Sequence, residues 1–122
     1  MDRESFNQWL AAYGRAWISR DPNAAASLYT DDATYQVTPF VEPLRGRPAI
    51  RDYWIHVAKT EDHVQFKYDN LAVEPGYGIA QWQATFVIIP QSLHTTLDGI
   101  FLISLGSTGR CQSLREWWHK QQ

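Results

Sequence analysis

An α+β fold, helices first and a curved antiparallel sheet after, is what this sequence predicts, and three observations carry the prediction. The opening segment spaces Phe6, Trp9, Leu10, Tyr13, Trp17 and Ile18 three and four apart, the period of a helix with one apolar face. From His63 onward the apolar period drops to two, the signature of strands. Pro75-Gly76, Pro90 and "GSTG" then divide that region into four runs. Helices followed by consecutive antiparallel strands pack as helices gathered on one face of the sheet.

Each element follows in order. Asp21-Pro22 supplies an N-cap and a proline at the first helical position, opening a short helix over "PNAAASLY". After the acidic pair Asp31-Asp32 comes a strand, "ATYQVTPF", ended by Pro39, and a loop around "VEPLRGRP". "PAIRDYWIHVAKT" reads as the third helix, with Ile50, Tyr53, Trp54 and Val57 on one side. "HVQFKYDNLAV", "IAQWQATFVII", "TTLDGIFLISL" and "RCQSLREWWHK" read as the four strands.

The final hairpin allows a finer expectation. With Ser107-Thr108 as a two-residue turn, Leu105 pairs with Arg110 and Phe101 with Leu114. Alternation then sets Leu97, Phe101, Ile103, Leu114, Glu116 and Trp118 on one face and Asp98, Ile100, Leu102, Arg115 and Trp117 on the other. Trp82, Ala84, Phe86 and Ile88 form one face of the neighbouring strand. Both faces read as substantially apolar. A homodimer through the convex face, around Thr85, Val87, Ile100 and Leu102, is therefore expected, because broad apolar patches are uncommon on monomers.

Length and composition narrow the function classes. The 122 residues suit one domain spanning 1–122, with six Trp, six Tyr and five Phe. Such rings fill a core or line a hollow with polar tips. The net charge of −2 and the lack of a Lys/Arg run argue against nucleic acid and anionic membrane surfaces. The single Cys111 fits a reducing compartment. No basic-then-apolar leader or spanning-length apolar run is visible, so a cytoplasmic protein is the expectation. The four histidines show no metal-ligand spacing, and no phosphate-cradling loop or nucleophile signature occurs; neither metal nor cofactor is expected.

In their order and spacing, "RDPNAAASLYTDDATY", "PLRGRPAIRDYW" and "GRCQSLREWW" resemble the nuclear transport factor 2-like superfamily, in its SnoaL-like and ketosteroid-isomerase-like branch. The resemblance covers nearly the whole chain. It implies a cone of curved sheet wrapped around N-terminal helices, enclosing a deep pocket and usually dimeric. It also implies positions. Tyr13 falls on the oxyanion-hole tyrosine of the steroid isomerases and Tyr29 on a buttressing tyrosine, while a third tyrosine is Trp54 here. The general-base aspartate falls on Val37, and the protonated oxyanion-hole aspartate falls on Phe101. Proton abstraction needs a carboxylate, so steroid isomerisation is not expected.

Glu116 is the acid that remains. By alternation it faces the interior, where lost hydration favours its protonated form and poises it for proton transfer. Tyr13 or Tyr29 would donate a hydrogen bond to a substrate oxygen. The competing reading is a structural glutamate, hydrogen-bonded to Trp, Tyr or Arg. Trp17, Tyr35, Val37, Trp54, Trp82, Phe86, Phe101 and Trp118 are the expected pocket lining. The expected ligand is a small hydrophobic or cyclic molecule bearing an oxygen. The activity is either cofactor-independent isomerase, dehydratase or cyclase chemistry, or ligand binding or structural dimerisation without turnover. Asp31 and Asp32 are expected to be structural, and Arg45 and Arg47 to lie on a solvated loop.

Overall fold

A computed structural model describes all 122 residues. The first helix, α1 (Arg3–Ile18), starts in a capping box: Asp2 accepts from the Ser5 amide, and Ser5 reaches back to the Asp2 amide. Its apolar stripe buries Phe6, Trp9, Leu10, Tyr13 and Trp17. The helix lies close on the sheet because Gly14 faces Phe66; a Cβ there would sit 2.9 Å from that ring. The second helix, α2 (Pro22–Ala26), is capped by Asp21. It stops before the sequence-based boundary, and Tyr29 already belongs to β1 (Tyr29–Gln36).

The chain then makes the short β2 (Leu44–Arg45) and α3 (Arg47–Thr60), which starts at Gly46 with φ +87°. That left-handed turn suits glycine. Arg47 is not a solvated loop residue. It donates from Nε and Nη2 to the Tyr29 carbonyl and bridges to Asp31 at 2.8 Å, tying α3 to the start of β1.

Four long strands follow: β3 (Glu61–Val73), β4 (Gly78–Ile88), β5 (Leu93–Leu105) and β6 (Cys111–Gln121). The sheet order is β2-β1-β6-β5-β4-β3, curved and unclosed, with α1 and α3 on its concave side. One correction concerns strand direction: β1 runs parallel to β6, so the sheet is mixed and not wholly antiparallel.

A second correction concerns register. Phe101 pairs with Glu116 and Ile103 with Leu114, two residues beyond the sequence-based pairing. The turn is built on Ser107-Thr108 as expected, with the Gly109 amide donating to the Gly106 carbonyl. However, Gly109 takes φ +82° and adds a residue, so Gly106 pairs with Arg110 through its amide. A second shift between Ser104 and Leu105 adds another residue. Two single steps restore the face of every side chain, and Phe101, Ile103, Leu114 and Glu116 all point inward and are buried.

The convex face is more polar than expected. Asp98 accepts from Gln81 and Gln83 on β4, and Arg115 lies over the Trp117 ring at 4.8 Å. Ile100, Leu102, Thr85 and Val87 are half-buried between these polar groups. No helix is long and apolar enough to cross a membrane.

Candidate functional site

The concave side of the sheet gathers every residue the sequence assigns to the pocket. Tyr13, Trp17, Tyr29, Tyr35, Trp54, Trp82, Phe86, Phe101 and Glu116 are buried, while Val37 and Trp118 are half-buried against them. The deeper aromatics pack ring on ring. Trp82 stacks on Phe101 at 4.9 Å and 13°. Tyr13 meets Phe101 edge-on at 5.3 Å and Trp54 at 5.5 Å, and Trp17 meets Trp54 at 5.7 Å. Tyr29 stacks on Tyr35 at 5.9 Å. Offset and edge contacts of this kind add to apolar burial and hold the ring positions. Large depressions of the outer surface lie elsewhere: about 490 Å³ beside Met1 and Ser107, and about 490 Å³ beside His63 and His94, with only Phe86 of the lining reaching either.

Two ends of the cone differ. At the end bearing the Gly78 and Gly106 turns, Phe6 and Leu10 are fully buried. At the other end, β1 leaves the sheet at Gln36, β6 finishes, and α1 and α3 terminate near Glu61. There the apolar residues Val37, Tyr53, Ile88, Leu97 and Trp118 are only partly buried.

Glu116 sits among these groups at 4% exposure, and its Oε1 has no hydrogen-bond partner. The Tyr29 hydroxyl and the indole N–H groups of Trp54 and Trp82 are likewise buried without partners. Buried polar atoms are ordinarily paired, so three idle donors and an idle acceptor on one interior set this wall apart from the rest of the core. No cation neutralises the acid. Every Lys, Arg and His is exposed except Arg47, which is committed to Tyr29 and Asp31.

Burial therefore pushes the Glu116 carboxyl up to about 8, opposed by the neighbouring Tyr35 hydroxyl. The nearest hydroxyl contact of Tyr35 is Tyr13, oxygen to oxygen at 3.5 Å, and no hydrogen bond of ordinary geometry joins it to Glu116. The phenols of Tyr13, Tyr29 and Tyr35 are raised well above their usual range, first by burial and then by neighbouring acidic groups that include Glu116. At neutral pH the group thus holds a protonated carboxyl beside phenols that remain donors.

Sequence reasoning missed three neighbours. Phe66, on the inner side of β3, packs against both Trp82 and Phe101. Tyr53 packs edge-on against Tyr35 and Trp54, and its phenol is raised by burial and by both Glu116 and Glu61. Glu61 accepts from the Trp17 indole at 2.8 Å. The first two lay within readable periodicities; Glu61 lay at the junction where the period changes, which alternation does not assign. Asp31 and Asp32 stay exposed, Asp32 accepting from Thr30. No group of three or more His, Cys, Asp and Glu side chains is arranged so that it could hold a metal ion.

A curved, unclosed sheet around N-terminal helices is the architecture of the nuclear transport factor 2-like class. The chain belongs to the SnoaL-like domain family, whose model matches residues 10–114. No curated protein sequence matches it. Among solved structures it is similar to the epoxide hydrolase/cyclase-like enzyme SalBIII, of pyran ring formation in the polyether salinomycin. That match has a TM-score of 0.85 and 20% identity, covering 97% of this chain and 93% of that one. It is also similar to a protein from Bacillus subtilis provisionally assigned as an isomerase, with a TM-score of 0.86, 20% identity, and 98% and 90% coverage.

Proposed function

We propose that the cone takes up a small, flat or cyclic apolar molecule bearing an oxygen and acts on it by cofactor-independent isomerase, dehydratase or cyclase chemistry. The observation that supports this best is Glu116: fully enclosed, unpaired at Oε1, and unneutralised by any cation. Held at about 8, the carboxyl keeps its proton at neutral pH and serves as a general acid toward a substrate oxygen. Tyr13 donates a second hydrogen bond to that oxygen, and Tyr29 buttresses the phenol row through its stack on Tyr35. The ring-forming role printed for SalBIII makes cyclisation one of the outcomes to assay. Steroid isomerisation is not among them: Val37 and Phe101 stand where that reaction needs two acids, and neither carries a proton to move.

The test is Glu116→Gln, assayed on a panel of enones, hydroxyketones and polyketide-like substrates. Turnover should fall at least a hundredfold on any substrate the wild type accepts, the scale of a lost general acid. Unchanged turnover removes Glu116 from the mechanism.

A second reading, a domain that binds or assembles without turnover, is favoured by the ring packing of Trp17, Trp54, Trp82 and Phe101. A second copy of the chain meeting the convex face around Ile100 and Leu102 belongs to both readings.

A further inference from the structure

The indole N–H groups of the inner wall fall into two sets. Those of Trp9 and Trp118 donate to the main-chain oxygens of Leu28 and Val37, and that of Trp17 donates to Glu61 Oε1 at 2.8 Å. Those of Trp54 and Trp82 are buried and idle. The two idle indoles both adjoin the Trp17 ring, at 5.7 Å and 6.1 Å between centroids. Buried N–H groups are ordinarily paired, and an aromatic ring is at best a weak acceptor for them. A carbonyl oxygen in the place of that ring would be a strong one.

Trp17 also stands at the way in. It lies on the last turn of α1, at the end of the cone where the apolar residues are only partly buried. Its ring packs against Tyr13 at 6.0 Å, Phe66 at 5.7 Å and Phe86 at 6.0 Å, and so fills the space inside this end. Its polar edge is held by one hydrogen bond. The acceptor, Glu61, begins β3 opposite Ile88 and closes the C-terminal end of α3, where the helix dipole disfavours its charge. Burial raises the Glu61 carboxyl to about 7, and the Trp17 bond opposes that rise. The last turn of a helix is where backbone opens at least cost. Beyond it Arg20 takes φ +53° and ends α1.

We propose that the Trp17 indole occupies a ligand subsite: the molecule taken up by the cone displaces it toward the rim, lies flat against Trp54, Trp82 and Phe86, and accepts from the idle N–H groups. This rests on the reading above that the cone takes up a small flat molecule, and it names the class. The ligand is a two-ring compound about the size of an indole, with a carbonyl oxygen among apolar ring atoms. Such an oxygen has two lone pairs, and the rings around it replace the contacts that Trp17 gives up. The subsite exists only once Trp17 has moved. Its apparent affinity is therefore the intrinsic one reduced by the fraction of molecules in which the ring stands aside. Deleting the ring, or its tether to Glu61, lifts that reduction.

The experiment uses 1-tetralone, with tetralin as the same skeleton lacking the oxygen. In nitrogen-15-labelled wild-type protein, saturating tetralone should shift the Trp17 indole N–H signal and bring it into exchange with water, while that of Trp9 stays in place. Trp17→Ala should bind tetralone at least tenfold more tightly than the wild type does. Glu61→Leu, which removes only the acceptor, should bind it about threefold more tightly; this arm and the wild-type spectrum stand even if Trp17→Ala fails to fold. Tetralone should be preferred over tetralin at least tenfold, and Trp54→Phe with Trp82→Phe should abolish the preference. A Trp17 signal unmoved at saturation, equal binding of the two probes, or tetralone taken up by neither the wild type nor Trp17→Ala overturns the proposal. Displacement of Trp17 with none of the enone and hydroxyketone panel turned over would sink the catalytic reading of Glu116 and leave this one. Turnover that depends on Glu116, with Trp17 unmoved at saturation, would do the reverse.

Discussion

The indole N–H of Trp118 donates to the main-chain oxygen of Val37 at 2.8 Å, which ties the last turn-free stretch of β6 to the point where β1 leaves the sheet. Trp118 stands two residues beyond Glu116 on the same face, so this bond fixes the inner wall next to the buried acid. Replacing Trp118 by Phe removes the bond and should cost about 1 kcal/mol. It should also admit water toward Glu116 and lower the pH at which that carboxyl ionises. Chemical denaturation and carboxyl-carbon NMR titration measure the two effects.

Glu116 makes stability depend on pH with a definite sign. Its folded value, about 8, lies above its ordinary value of 4.5, so the native state holds a proton that the unfolded chain has released. Stability should therefore be greatest below about 4.5 as far as this group is concerned, and fall as pH rises from there to about 8. Each unit of the difference corresponds to about 1.4 kcal/mol. Glu116→Gln should flatten this slope, and melting temperatures compared across that window check it.

Gly99 pairs with both Trp82 and Trp118. A Cβ at this position would fall 2.3 Å from the Trp117 carbonyl oxygen and 2.8 Å from the Trp118 Cβ. Both atoms belong to the paired β6 strand, at its backbone or first side-chain carbon, which leaves no cheap adjustment. Gly99→Ala should destabilise by about 1–3 kcal/mol, the scale of overpacking, measured by urea unfolding.

Trp82 is fully buried against Phe66 and Phe101, yet its indole N–H has no partner. Trp82→Ala should cost about 3–5 kcal/mol through lost burial and the cavity left behind. Trp82→Phe should cost much less, because it discards the idle donor while retaining a stacked ring. If the N–H serves a ligand oxygen, the Phe variant keeps its fold but weakens ligand uptake, read from the quenching of the remaining tryptophans.

The convex face offers a separate measurement. Ile100→Lys should convert a dimer to monomer in light scattering without changing the far-ultraviolet spectrum. A wild-type mass equal to one chain removes the dimer from consideration.

The sequence by itself determined the types of the long elements, the inward face of the last two strands and most of the aromatic interior, Phe66 and Tyr53 excepted. These are local or periodic properties: helical spacing around Trp9 and Tyr13, and strict alternation along Trp82, Phe86, Phe101 and Glu116, survive any even shift in pairing. Only the tertiary structure decided the rest. The true register arose from the extra residue at Gly109 and a second shift near Ser104, which no period reveals because the two steps cancel in facing. The parallel run of β1 beside β6, the clamp of Arg47 on Tyr29, and the approach of Glu61 to Trp17 join residues far apart in the chain. Such pairings depend on where whole elements pack, and burial, which sets the ionisation of Glu61 and Glu116, exists only once they have packed.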